Sequence, residues 1–388
     1  MIPLSSIHKF YVITFLYWFS LYTYMPILSP YVEYLGGSLT MVGLVVGSYG
    51  LVQLFARIPL GITSDLLSNR RFFIGLGMAL GVLSAAGMGL ANSAATVLIF
   101  RAVAGGAASA WVAFTVLFSS YFPADQAPKA MGLIVFLTSL GQMTAATVGG
   151  FAADVWGWQA PFFIGAAGGL VGWALVPTIK ESKKVVGPRV QLSSLLSIGK
   201  QPLVLVVSFL AILMQWLTFS TVFGFTPSYA VSLGASNSQL SILALASSLP
   251  AALSALRSGH WAEKFGERTV LAGGFALFAV GTFLIPRSDT VILLYITQAL
   301  GAAGRGVLLP LLMGLSIRDI DGPRRATAMG FFQSIYALGM FAGPALTGVI
   351  SEAVGLRRGF DIVGFVGVLA AVMAMLLIAK AQKSARSN

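Results

Sequence analysis

The chain has 388 residues, 57% of them apolar and only 9% charged, with a net charge of +12 and no cysteine. Soluble domains carry about 25% charged residues, so water is excluded as the main solvent. The missing cysteines exclude disulfides, thiolate nucleophiles and Cys-based metal sites, and the only histidines, His8 and His260, lie far apart in sequence.

About 20 apolar residues in helical form cross a hydrocarbon core about 30 Å thick. Twelve such runs follow one another: 10–31, 39–61, 73–91, 96–118, 130–153, 160–178, 203–230, 239–258, 270–286, 291–315, 326–350 and 360–380. They are numbered here as spans 1 to 12. The first begins almost at the N-terminus and is too long and too aromatic for the h-region of a cleaved signal. After span 6, Lys180, Glu181, Lys183, Lys184, Arg189 and Lys200 mark a polar linker, with Gly187-Pro188 as its breaker. The expected fold is therefore an all-α polytopic membrane protein, with a six-helix bundle over 1–178, a linker over 179–202 and a second six-helix bundle over 203–388.

Lys and Arg gather in the turns on the side of the termini, from Lys9, Arg57, Arg70 and Arg71 to Lys380, Lys383 and Arg386. The opposite side holds only Arg287, Arg357 and Arg358. Basic turns stay cytoplasmic, so both termini are expected inside. The positive balance then reads as a topology signal with attraction to anionic lipid headgroups, not to nucleic acid.

A constant offset of 198 residues carries Trp18 onto Trp216, Tyr31 onto Tyr229, Gly36 onto Gly234, Gly61 onto Gly259, Asp65 onto Glu263, Gly157 onto Gly355 and Arg70 onto Arg268. The chain is one half written twice, so the two bundles are expected to be pseudo-symmetric, as in carriers whose repeats are related by an axis along the membrane normal. Small residues at helical spacing, such as Gly43 with Gly47, Gly77 with Gly81 and Gly165 with Gly169, predict close helix packing. The Gly75-x-Gly77-x-x-x-Gly81 stretch is read the same way, because no strand precedes it.

These residues resemble the major facilitator superfamily over essentially the whole chain. Its signature between spans 2 and 3 is matched by Gly61, Asp65, Arg70 and Arg71, with Leu66 and Ser68 departing from it. The second copy keeps Gly259, Glu263, Lys264, Gly266 and Arg268. The span-5 glycine ladder of drug and metabolite antiporters is similar to Gly132, Gly141, Ala145-Ala146 and Gly149-Gly150. In span 11 it is similar to Gly330, Gly339, Gly343-Pro344 and Thr347-Gly348. Arg101 with Gly105 resembles the family's span-4 element. The resemblance implies a central cavity lined by spans 1, 4, 7 and 10, alternating access, and a cytoplasmic latch in which Asp65 and Glu263 meet span starts of the opposite half while Arg70 and Arg268 tie the loops.

Acidic residues all fall at turns or span ends, whereas Arg101 and Arg305 stand within spans 4 and 10. An intramembrane Arg costs roughly 2.5–3.5 kcal/mol on insertion scales and needs a cavity or a partner. Arg305 has Ala107 as its repeat equivalent, so symmetry is broken there. It can bind a carboxylate or phosphate of a solute, or bond helix carbonyls near Pro310 or Gly304. Arg101 can do the same or snorkel. Tyr17, Trp18, Tyr22 and Tyr24 of span 1, with Gln215, Trp216, Phe219 and Phe223 of span 7, are candidates for cavity walls or for plain packing.

Together these readings predict a monomeric, multi-pass bacterial cell-membrane carrier of a small organic solute. It needs no cofactor and is expected to be a proton-coupled exporter of drugs or of amphipathic or anionic metabolites. Import or exchange of a small organic anion is the alternative. An integral-membrane enzyme is the remote one, since no nucleophile, acid pair or metal cluster is legible. Proton coupling has no mid-span carboxylate to carry it, leaving Glu33, Asp361 or the solute itself.

Overall fold

A computed structural model describes residues 4–67, 69–122, 126–181, 199, 201–320 and 325–387. Among them twelve helices are long and apolar enough to cross a membrane: Ser6–Tyr34, Leu39–Ser64, Arg70–Gly89, Ala94–Ser119, Ala130–Trp156, Ala160–Thr178, Pro202–Ser232, Asn237–Phe265, Glu267–Arg287, Val291–Arg318, Ala328–Val354 and Leu356–Ala379. Each contains most of the run expected for it, and the described residues include no strand. In lipid every backbone polar group has to be satisfied inside the segment. Hydroxyls within the spans follow the same rule by donating back to their own helix, as Thr138 does to Ile134 O, Thr218 to Met214 O and Thr282 to Phe278 O.

The offset of 198 is visible in the backbone. Gly36 and Gly234 stop spans 1 and 7 at φ +80° and +85°, and Gly157 and Gly355 stop spans 5 and 11 at +87° and +90°. In that left-handed region a Cβ is penalised, which explains the same residue in both copies. Tyr31 donates to Met88 O and Ala91 O, and its equivalent Tyr229 donates to Pro286 O and Ser288 O.

Three spans are interrupted. Span 1 runs as an α-helix to Tyr22, tightens to a 3₁₀ turn over Met25–Ile27 at Pro26, and resumes at Leu28. Span 7 loosens to a π turn over Thr221–Phe225 at the equivalent place. Span 4 breaks at Ala110, between Ala94–Ser109 and Trp111–Ser119. Such interruptions need backbone groups to find partners elsewhere and mark positions that serve something other than crossing lipid.

The backbone groups into two compact units. The first is Met1–Gly36, Leu51–Arg189 and the short piece Ser236–Ser241; the second is Gly37–Gly50, Val190–Ala235 and Ile242–Asn388. Each unit therefore takes in the start of one span from the other repeat. In the first unit, span 3 packs on spans 4 and 6, and span 1 on spans 5 and 6. Gly165 and Gly169 lie against Ser20, and Gly77 against Ala110 and Tyr17, as the small-residue pattern predicts. In the second unit, span 9 packs on spans 10 and 12, and span 7 on spans 11 and 12, around Leu210, Phe275, Phe278, Leu308, Phe332 and Ile378. The borrowed start of span 2 sets Gly43, Gly47 and Gly50 against Pro344, Phe341 and Met340 there.

Candidate functional site

In the first unit, aromatic rings gather where spans 1 and 4 are broken. Tyr17 is buried and donates to Ala107 O at 2.5 Å, a carbonyl in the last turn before the span-4 break, and its ring lies 4.4 Å from that of Phe114. Trp18 is 8% exposed, with the rings of Trp111 at 5.1 Å and Tyr22 at 5.6 Å. Its indole Nε1 is buried without a hydrogen-bond partner among the described residues. An indole N–H is a donor only, so it can be satisfied there only by an acceptor that enters.

The span-2 helix continues to Leu67, and Arg57 is 8% exposed within it, bonded to Gln53 Oε1 at 2.6 Å and within electrostatic reach of Tyr17. Arg101 does not snorkel: it is 2% exposed and directed at Tyr24, with the hydroxyl at 3.4 Å and the ring centroid at 5.9 Å.

In the second unit, Trp216 donates through Nε1 to Thr347 Oγ1 at 3.1 Å, and Thr347 also bonds Ser220 at 2.9 Å. Gln215 is buried beside it. Arg305 is half-buried and donates to Ser247 O at 2.7 Å, in the turn of span 8 that Pro250 interrupts. A carbonyl of span 8 thus holds its guanidinium.

The ladder positions are close approaches. Gly141 and Gly339 lie over Phe15 O and Ile212 O, Gly149 over Thr23 O, and Gly343 over Trp216, while Gly132 and Gly330 have open space around them. Gly150 and Gly348 face something else, the borrowed starts of spans 8 and 2. A Cβ at Gly150 would meet Asn237 O and Ser241 Oγ, and one at Gly348 would meet Leu39 O and Thr40.

Several bonds around the signature between spans 2 and 3 lie inside the first unit. Glu181 accepts from Arg70 N at 2.6 Å and Arg71 N at 3.3 Å, Asn69 accepts from Phe72 N, and Arg71 reaches Pro177 O and Ile179 O. These close the N-terminus of span 3, where a carboxylate also opposes the helix dipole. Tyr121 donates to Lys180 O at 2.7 Å; burial, with the Glu181 charge nearby, pushes its phenol well above the usual range, so it stays a donor. The side chain of Asp65 lies outside the described residues. Glu263 and Arg268 are exposed, Lys264 lies over the Phe265 ring, and Gly266 starts span 9 at φ +82°. Gly61 touches Val112 and Gly259 has open space. In the second copy the ion pair at the start of span 9 is Arg318 to Glu267 at 2.7 Å.

Two further acids sit in the last helical turns of spans 5 and 11. Asp154 accepts from Asn237 N at 3.0 Å and Ser238 N at 2.8 Å, and Glu352 accepts from Thr40 N at 3.3 Å. Asp361 pairs with Arg287 at 2.7 Å. Among the described residues no group of three or more His, Cys, Asp or Glu could hold a metal ion.

Comparison with known proteins adds the family. The profile described as Major Facilitator Superfamily matches residues 10–234 and 208–388. An uncharacterised MFS-type transporter of Methanocaldococcus jannaschii is 24% identical over 383 residues, 94% of this chain and 97% of that one. The quinolone resistance protein NorA of Staphylococcus aureus is 29% identical over 163 residues, 42% of each chain. Among solved structures, a bacterial homologue of the human lysosomal transporter Spinster superimposes with a TM-score of 0.85 at 17% identity, covering 98% of this chain and 97% of that one. A variant of the nucleoside transporter NupG gives 0.82 at 14% identity, covering 96% and 99%. With twelve spans, a doubled half and a family profile over nearly its whole length, the chain belongs to the Major Facilitator Superfamily and is a membrane transporter, not an enzyme.

Proposed function

We propose that this transporter moves a small organic anion across the cell membrane by alternating access, as a proton-coupled exporter of drugs or amphipathic anionic metabolites. Both termini are cytoplasmic in this reading, and the carrier works as a monomer without a cofactor. The observation that carries the anion is charge balance. Arg57, Arg101 and Arg305 stand within spans 2, 4 and 10, whereas every described carboxylate stands near a span end. Guanidinium groups are retained in a membrane where they have partners, and a carboxylate or phosphate on the solute completes that balance in transit. Trp18 offers a neutral donor among the rings of Tyr22 and Trp111, and Gln215 with Trp216 offers a second polar and aromatic edge.

Export is supported by the ladder spacing and by the partial likeness to a quinolone resistance protein. Uptake or exchange of a small organic anion is the second reading, favoured by the lack of a mid-span carboxylate among the described residues to carry a proton. Counterflow in proteoliposomes with matched anionic and cationic amphiphiles tests the charge of the solute. The expected result is exchange of anions that fails in Arg305→Ala. Movement of cations alone, unaffected by that substitution, overturns the reading. Repeating the assay under an imposed proton gradient separates export, which it accelerates, from gradient-independent exchange.

A further inference from the structure

The starts of spans 2 and 8 are the two segments that each unit takes from the other repeat, and each start is closed by an acid from the unit that receives it. The accounting at span 8 is complete. A helix leaves its first N–H groups without internal partners. Ser236 and Gln239 form a reciprocal cap, with Gln239 N donating to Ser236 Oγ and Ser236 N donating to Gln239 Oε1. The two N–H groups between them, of Asn237 and Ser238, go to the two oxygens of Asp154. One turn further on, Ser241 donates to Ala146 O at 2.5 Å and accepts from Gly150 N at 3.0 Å.

Span 2 repeats the plan in weaker form. Ser38, the equivalent of Ser236, accepts from Met41 N, and Thr40 N goes to Glu352, the equivalent of Asp154 under the offset of 198. Here there is one bond at 3.3 Å instead of two shorter ones, and Gly43 stands where Ser241 stands in the other copy. Gly150 and Gly348, also equivalents, let the two backbones meet beside each acid.

We infer that Asp154 and Glu352 are the paired latches of the outer gate: their bonds to the starts of spans 8 and 2 hold the carrier closed on the outer side and must break when it opens outward. The inference rests on the alternating-access reading and on cytoplasmic termini, which put the turns after spans 1, 5, 7 and 11 outside. A carboxylate at a helix start gains from both the N–H bonds and the dipole. The bonds reform each cycle because the same residues meet again, Asp154 with Asn237 and Ser238 and Glu352 with Thr40. The first latch is the stronger, with two bonds and the Ser241 bridge. This role belongs to the acids as positioning residues; neither is asked to touch the solute.

The test uses the full chain and the absence of native cysteine. Spin labels at Gln159→Cys, at the start of span 6, and Val231→Cys, near the end of span 7, both exposed, report changes in the outer separation by electron–electron distance measurement, without any solute. The distance distribution of the parent protein is the reference. Asp154→Ala should raise the outward-open fraction about five-fold relative to the closed one, a typical consequence of losing a helix cap. Asp154→Asn should fall between, because it keeps an acceptor and loses the charge. Glu352→Ala should act in the same direction but less, and the double variant should approach the product of the two. Gly150→Ala approaches the same gate sterically and should also open it. Glu181→Ala, which uncaps span 3 within its own unit, should leave the outer distance unchanged. Unaltered distances in both Asp154→Ala and the double variant overturn the latch, as does an equal opening in Glu181→Ala. Counterflow specificity plays no part in this readout, so an error about the solute cannot imitate its failure.

Discussion

Trp18 and Trp216 occupy equivalent places in spans 1 and 7, yet one indole N–H is buried without a partner among the described residues and the other is bonded to Thr347. The reason is one position away in the repeat. The equivalent of Thr347 is Gly149, which carries no hydroxyl and presses against Thr23 O, and the equivalent of Ser220 is Tyr22. The same scaffold element is therefore tied off in the second repeat and left open in the first. Symmetric positions carry the architecture and the gate, and solute recognition is to be sought where the copies differ. Arg305, with Ala107 as its equivalent, is the other such place.

The largest expected effect comes from Arg305→Ala. A charge-assisted bond is worth about 1.5–3 kcal/mol, so apparent affinity for an anionic solute should fall by about 10-fold or more. The converse change, Ala107→Arg, should not restore it, since the charge would then stand in the other unit. Binding measured by solute protection of thermal unfolding checks both. Trp18→Phe comes next. It keeps a ring against Trp111 and removes a donor that has no partner in the empty protein, so stability should hold or rise slightly while anion affinity drops about five-fold. A fall in stability with no change in affinity would assign Trp18 to packing.

Thr347→Val reverses the comparison by leaving the indole of Trp216 and the hydroxyl of Ser220 in the position of Trp18. Two buried polar groups lose one shared partner, at about 1–3 kcal/mol for a group left unsatisfied. Unfolding temperature in detergent should drop by a few degrees. Transport specificity should change less than in Trp18→Phe. Solute that rescues the unfolding temperature of Thr347→Val more than that of the parent would show that an opened donor in span 7 can also be used.

The spans, their number and the offset were legible because lipid imposes a 20-residue apolar period on the chain and duplication preserves spacing. What was not legible follows from what an offset leaves out. It equates Asp154 with Glu352, but acids at span ends are ordinary there, and nothing in the sequence tells which helix start each one meets. The burial of Arg57 was not legible from its place near the end of its apolar run; the helix carries on through Ser64 to Leu67, and Gln53 meets its guanidinium. Arg101 looked shallow enough to snorkel, and Tyr24 gave it a partner at depth. Glu181 was part of a charge cluster in the linker, and its use as a cap for span 3 depends on where span 6 ends. Both units needed the borrowed helix starts, which periodicity alone cannot assign.

The smallest effects should come from the most symmetric pair. Tyr31→Phe and Tyr229→Phe each remove one hydroxyl that donates to two carbonyls at the end of span 3 or span 9. Those carbonyls lie where a helix ends beside a turn, and each lost hydroxyl should cost near 1 kcal/mol. Because the bonding is the same in both copies, the two drops in unfolding temperature should agree within error and add in the double variant. Transport should follow stability in all three. A solute-affinity change in Tyr31→Phe alone would extend the asymmetry of Trp18 out to this turn, whereas equal behaviour confines it to the interrupted middle of span 1. That outcome would separate the residues that build the repeat from those that make its two copies different.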